Sequence, residues 1–154
     1  MKRLAPLIGT WDTEDIYRPE SPTPSIERGV RRCAYALGDR YIECVTMATN
    51  ARGLGREYRF YITWDPERGR YTMLSIWSNV GGLQLTTFAI DSTGREWDIR
   101  GTAPYVENGI ERRTWSTLTF AAPDSIVWLG RYNLSSDSPT SWPVSFRETW
   151  RRRR

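Results

Sequence analysis

Two pairs of neighbouring arginines, Arg31–Arg32 and Arg112–Arg113, lie in stretches where apolar and polar residues alternate. Such alternation puts successive side chains on opposite faces of a strand, so one guanidinium of each pair faces inward. A cation inside an apolar interior is costly unless it is ion-paired and hydrogen-bonded. Glu148, Glu43 and Asp15 are the carboxylates that could answer it; Asp15 shares a face with Trp11 and Tyr17, and Glu148 shares one with Phe146 and Trp150. A ligand carboxylate gripped by the guanidinium fork would serve as well. Three readings stay open. The arginine can belong to a buried structural ion pair or snorkel to a rim. It can anchor a ligand. Or desolvation can raise the pKa of a carboxylate until it acts as general acid or base near neutrality, with Glu148 and Asp15 as the catalytic candidates.

The composition narrows the chemistry. No histidine occurs among the 154 residues, which excludes a histidine-ligated haem or zinc, a Ser-His-Asp triad and a Cys-His dyad. The 2 cysteines cannot build a four-cysteine metal site. No metal and no cofactor is expected, and any chemistry falls to Asp, Glu, Tyr, Arg, Cys, Ser or Thr.

The formal charge of +4, from 22 basic and 18 acidic residues, is matched by the arginines at 151 to 154. The chain is therefore read as a neutral domain, 1–150, and a basic, solvated tail, 151–154. No zinc-finger, homeodomain or RNP-type motif accompanies that tail, so no nucleic-acid partner is expected. No run reaches the ~18 apolar residues of a membrane helix, and MKRLAPLIGTW does not read as a secretory signal. The expectation is a cytoplasmic chain that does not enter membranes. Cys33 and Cys44 are then expected as reduced thiols, and the sequon Asn133-Leu134-Ser135 as unused.

Turn signals recur along the chain, and strands are read at about 9–18, 27–37, 40–49, 56–64, 70–78, 83–90, 95–101, 109–120, 126–134 and 142–151. Leu37-Gly38-Asp39-Arg40 suits a two-residue turn, setting Tyr35 opposite Ile42 and Cys33 opposite Cys44, the latter as a hydrogen-bonded pair about 5.5 Å apart at Cα. Asp65 to Arg70 suits a four-residue loop opened by Pro66, pairing Trp64 with Tyr71, Ile62 with Met73, Phe60 with Ser75 and Tyr58 with Trp77. Asp91-Ser92-Thr93-Gly94 sets Phe88 against Trp97 and Thr86 against Ile99. Around Ala122 to Ser125 two registers remain: one pairs Trp115 with Tyr132 and Thr119 with Trp128, the other Leu118 with Trp128 and Arg112 with Leu134. Meandering strands with short links favour closure, which removes exposed edges. The fold expected is all-β, a single antiparallel up-and-down barrel of about ten strands with a central cavity.

Leu7-Ile8-Gly9-Thr10-Trp11 resembles the Gly-x-Trp signature of lipocalins and the wider calycin group, whose tryptophan closes one end of the barrel. Leu37-Gly38-Asp39-Arg40-Tyr41-Ile42, Trp64-Asp65-Pro66 with Gly69-Arg70-Tyr71, and Glu148 are similar to the corresponding features of small bacterial lipocalin-like domains of uncharacterised function. The resemblance implies a barrel that holds a fatty acid, retinoid or other small apolar molecule, with a few enzymes in the group. It does not extend to the haem-binding branch, which needs a proximal histidine.

The chain also holds 8 tryptophans and 8 tyrosines. Tyr58, Phe60, Met73, Trp77, Phe88 and Trp97 fall on one face of consecutive strands, so in a barrel they line one wall. With Tyr35, Trp128 and an inward Arg112 they form the candidate ligand site. The leading reading is a binding barrel for a mostly apolar or aromatic molecule. The alternative is a cofactor-independent enzyme, a cyclase, isomerase or dehydratase of a secondary metabolite, using an inward carboxylate or tyrosine in the same cavity. A homodimer is left open.

Overall fold

The computed structural model describes residues 1–79, 83–102, 105–107, 110–134 and 142–154. The alternating segments become β1 (Gly9–Tyr17), β2 (Ser25–Ala36), β3 (Tyr41–Asn50), β4 (Gly55–Asp65), β5 (Arg70–Trp77), β6 (Gln84–Ile90), β7 (Glu96–Gly101), β8 (Tyr105–Glu107), β9 (Ile110–Ala122), β10 (Ser125–Leu134) and β11 (Val144–Arg152). Neighbours in the chain pair antiparallel as far as β7, β7 then pairs with β9, and β11 returns to β1. The result is a closed ten-strand antiparallel up-and-down barrel, with short β8 laid on the start of β9. Among the described residues no helix is long and apolar enough to cross a membrane.

One end of the barrel is stoppered. A 3₁₀ turn, Lys2–Leu7, runs across it with Leu4 and Leu7 buried, and Trp11 Nε1 donates to Leu7 O at 2.8 Å. Arg151 and Arg152 belong to β11 instead of a solvated tail. The Arg152 guanidinium lies 4.1 Å over the Trp11 ring and donates to Ile8 O and Pro6 O, both at 2.8 Å. Arg153 Nη2 pairs with Asp12 at 2.6 Å.

The register is as read at Asp65–Arg70, where Tyr58 faces Trp77 and Ile62 faces Met73. Of the two registers around Ala122–Ser125, the structure has Leu118 opposite Trp128 and Arg112 opposite Leu134, with a bulge at Ser125/Ile126. The Asp91 turn is a correction: Phe88 faces Ile99 and Ile90 faces Trp97. The loop is two residues longer than a tight turn because Asp91 Oδ1 accepts from the Arg95 and Glu96 amides at 2.8 and 3.0 Å. A shift of two residues keeps every side chain on its face, so the inward set survives the error.

The cysteines are a second correction. Cys33 does face Cys44, but the two form a disulfide and their Cα atoms are 4.1 Å apart. Leu37, Gly38 and Asp39 all adopt positive φ, and the strands stop at Ala36 and Tyr41. The connection is a four-residue loop, which moves the cysteines to the narrow, non-hydrogen-bonded kind of pair where side chains approach closely. Because the bridge closes a short loop in the unfolded chain, Cys33→Ala/Cys44→Ala should lower the unfolding free energy by about 2–4 kcal/mol. Urea melts check this; an unchanged midpoint for the double variant would contradict a bonded pair.

Candidate functional site

Alternation inside a closed barrel decides which groups meet. Trp11, Arg31, Thr46, Tyr58 and Trp77 occupy one register row from β1 to β5, and Glu148, Asp15 and Glu27 occupy a second row across β11, β1 and β2. Of the two candidates at 31 and 32, Arg31 is the inward one and is fully buried, while Arg32 is exposed. Its Nη2 lies 2.6 Å from Glu148 Oε1, its Nε donates to Thr46 Oγ1 at 2.6 Å, and its guanidinium sits 4.0 Å from the Trp150 ring centre. Tyr58 OH donates to Asp15 Oδ2. Nearer the open end Arg56 pairs with Glu27, donates to Tyr17 OH, and lies over the Tyr17 and Tyr58 rings at 4.7 and 5.0 Å. Glu43, the third carboxylate considered for Arg31, is on the outer face with Arg59 and Tyr61.

This wall sets three carboxylates, Asp15, Glu27 and Glu148, against two guanidiniums, Arg31 and Arg56. Full ionisation would leave one negative charge uncompensated in a low-dielectric interior. Burial accordingly pushes the Glu148 carboxyl up to about 8, with Arg31 pulling it back and Asp15 adding to the rise. Burial also raises Asp15, against the pull of Arg31 and the Tyr58 hydrogen bond, and raises Glu27. Burial, then the charges of Glu148 and Asp15, raise the Tyr58 hydroxyl. The cluster thus holds a proton near neutral pH. Among the described residues no group of His, Cys, Asp and Glu is placed to hold a metal ion.

The aromatic rings fall into two runs. Tyr71, Phe88 and Trp97 stack in sequence at 5.1 and 4.8 Å, with Phe120 beyond them, and fill the stoppered half. Phe60, Trp128, Trp150 and Trp11 form the other run, centre to centre at 5.3, 6.3 and 6.0 Å, around Arg31. Toward the far end the inward-facing Trp77, Gln84, Thr114, Ser116, Tyr132 and Phe146 are only half-buried. There a cleft of about 330 Å³ opens between Arg18, Glu20, Arg112, Tyr132, Val144 and Ser145. The Arg112 guanidinium lies 5.2 Å from the Tyr132 ring centre. One inward step below, the Phe146 ring rests on Gly130, where an added Cβ would come within 2.0 Å of it, and meets Trp128 edge-on at 5.6 Å. A wider groove of about 700 Å³ lies at the stoppered end beside Tyr41, Trp64 and Pro66, and none of the sequence-predicted site residues lines it.

The structure therefore brings Asp15, Glu148, Tyr58, Phe60 and Trp128 together, and sets Trp77 and Arg112 at the mouth. Met73, Phe88 and Trp97 are buried in the stoppered half, away from the cleft. Tyr35 is a correction: it stays opposite Ile42 but is 42% exposed, because it lies beyond the disulfide at the rim. Sequence reasoning missed Thr46, Glu27, Arg56 and Gly130. Glu27 reaches Asp15 only through the register across the Pro19–Pro24 loop, which no turn signal specifies. Gly130 carries no mark beyond being a glycine within a strand, a known sign of close approach.

No family model and no curated protein sequence matches the chain. Three solved structures resemble it along nearly all its length. They are an S-type phycobiliprotein lyase from Guillardia theta (TM-score 0.66, 8% identity, 99% of this chain and 92% of that one), a de novo designed fluorescence-activating β-barrel (0.53, 15%, 99% of each) and a redesigned β-barrel bound to DFHBI (0.51, 12%, 96% and 99%). At such identities the likeness shows the shared barrel.

A carboxyl whose folded pKa lies above its unfolded value binds more protons when folded, so its contribution is present at acid pH and is lost as pH rises. For Glu148 that window runs from 4.5 to about 8. The urea midpoint should therefore fall between pH 5 and 8.5, and Glu148→Gln should flatten the decline; a midpoint that climbs across this window would contradict the proton-holding cluster.

Proposed function

We propose that the chain binds one small, mostly apolar or aromatic molecule in the half of the barrel that faces away from the 3₁₀ turn. The observation that carries this reading is the contrast along the lumen. At the stoppered end the inward residues Trp11, Ile42, Phe88 and Ile126 are all buried, whereas Trp77, Tyr132 and Phe146 at the other end keep contact with solvent, and Tyr132 also lines the cleft. Rigid rings with a few polar groups around them suit a planar ligand. Arg112, half-buried beside Tyr132, can fix an acidic substituent at the mouth, and Arg18 lies across the cleft from the same region. Structural neighbours whose names record fluorescence activation, bound DFHBI and a phycobiliprotein lyase support small-molecule binding in general.

A second reading is favoured by one specific observation. Asp15 and Glu148 sit side by side in the interior, both with raised pKa. A binding barrel does not need that pair; a cofactor-independent enzyme would use it to move a proton.

Native mass spectrometry of the freshly purified chain should reveal a co-purified small molecule, and DFHBI, used as a planar probe, should quench tryptophan emission on titration. Phe146→Ala and Trp77→Ala should each weaken that binding about tenfold, by removing a buried aromatic contact. Arg112→Ala should weaken probes that carry a carboxylate and spare neutral ones. Quenching unaltered by Phe146→Ala and Trp77→Ala would place the ligand elsewhere.

A further inference from the structure

Around Glu148 the interior holds more hydrogen-bond donors than acceptors. Four buried donor atoms, Trp128 Nε1, Trp150 Nε1, Arg31 Nη1 and Arg31 Nη2, stand against one acceptor, Glu148 Oε1, and none of them makes a hydrogen bond among the described residues. Of these residues, Trp128 and Arg31 are only 7% and 0% exposed. The two belong to one spot. Trp128 stands opposite Glu148 in the β10–β11 register, and Arg31 touches Glu148 directly. The Trp128 ring and the Arg31 guanidinium both pack on Phe60, at 5.3 and 4.9 Å, and on Trp150, at 6.3 and 4.0 Å. Burying an unspent donor is unfavourable, so a pair of them on either side of one carboxyl points to an acceptor that arrives with the ligand.

The charge balance selects the kind of acceptor. Three carboxylates against two guanidiniums already leave a surplus negative charge, which a retained proton neutralises. A ligand carboxylate placed here would restore that surplus, and a cation would bring no acceptor. A neutral carbonyl oxygen satisfies both donors without adding charge. With the cluster's proton on Glu148, that carboxyl adds a third donor to the same oxygen.

We propose that Glu148, Arg31 and Trp128 form a donor pocket for a ligand carbonyl, and that Asp15 beside it removes a proton from the carbon next to that carbonyl. This deepens the second, enzymatic reading above and rests on it. The substrate class is an apolar or aromatic ketone or aldehyde with an enolisable C–H. In the forward step the C–H bond breaks and its proton passes to the Asp15 carboxylate, whose Oδ2 is held by Tyr58. The C–H electron pair becomes the new C=C bond. The carbonyl π electrons move to oxygen, which takes the Glu148 proton. Return of a proton to the same carbon gives exchange; return to the far carbon of a conjugated system gives an isomer. Glu148 is reprotonated when the enol O–H is given back, so atoms and electrons balance without a cofactor. On this proposal the substrate enters from the cleft past the Phe146 ring, which meets Trp128 edge-on at 5.6 Å.

The test uses the full chain with two isosteric probes, 2-tetralone and its carbonyl-free counterpart tetralin. Tryptophan quenching measures binding, and proton NMR in D₂O measures α-hydrogen exchange of 2-tetralone. The ketone should bind about tenfold more tightly than the hydrocarbon, one good hydrogen bond's worth. Exchange should exceed the matched buffer rate on the order of 100-fold. Asp15→Asn should abolish the acceleration. Trp128→Phe, which keeps a ring in place and deletes only the N–H, should lose the preference for the ketone while still binding tetralin. Equal affinity for the two probes, or exchange at the buffer rate with 2-tetralone bound, overturns the proposal and leaves the binding barrel standing. Failure of both probes to quench overturns the two together. Thermal melts by circular dichroism confirm that each variant is folded.

Discussion

Arg31 is a full positive charge with no contact to solvent, and the inner wall is arranged around it. One nitrogen faces Glu148, another holds the Thr46 hydroxyl, and the planar face lies on Trp150. These three partners come from β3 and β11, so the guanidinium, itself on β2, ties together strands that the chain reaches at opposite ends of its length. Removing one member of such a pair leaves an uncompensated buried charge, a loss of about 3–5 kcal/mol and hence comparable to the stability of many domains. Replacing the whole set by hydrocarbon could cost little, so stability alone does not account for its presence. A polar constellation placed where apolar packing would serve is a mark of a working site.

The barrel divides its labour along its axis. The half beneath the 3₁₀ turn is filled by stacked rings, by Leu4 and Leu7, and by the Cys33–Cys44 bridge. Interlocked aromatics leave little freedom there, which gives the other half a rigid base. Toward the mouth the inward positions change character, to Gln84, Thr114 and Ser116 on one side and Arg56, Glu27 and Tyr17 on the other. Apolar rings with polar groups at a few fixed points recur where small molecules are held.

Much of this was legible from the residues. The period of two and the turn chemistry yielded the strands, and the Asp65–Arg70 hairpin was correct to the residue because Pro66 and Gly69 determine its loop. Alternation alone placed Asp15 and Glu148 inside and required one inward arginine. What could not be read was lateral: which strand lies against which when the connection is long, or when pairing joins the two ends of the chain. Asp15 meets Glu148 through such a closure, and no local signal encodes it. The loop after Ala36 escaped for another reason. Leu37 and Asp39 adopt positive φ, a conformation that side chains rarely take, so glycine content understated the loop.

The Cys33–Cys44 bridge lies one inward step from the Arg31–Thr46 pair on the same two strands. Sliding β2 along β3 by a single residue would turn Arg31 out to water and bring Arg32 indoors, stripping Glu148 of its guanidinium partner. Burial of the inward side chains already opposes that slip, and the sulfur–sulfur link forbids it outright. The covalent staple thus acts as a phase lock, keeping the correct arginine of the two in the interior whenever the barrel breathes.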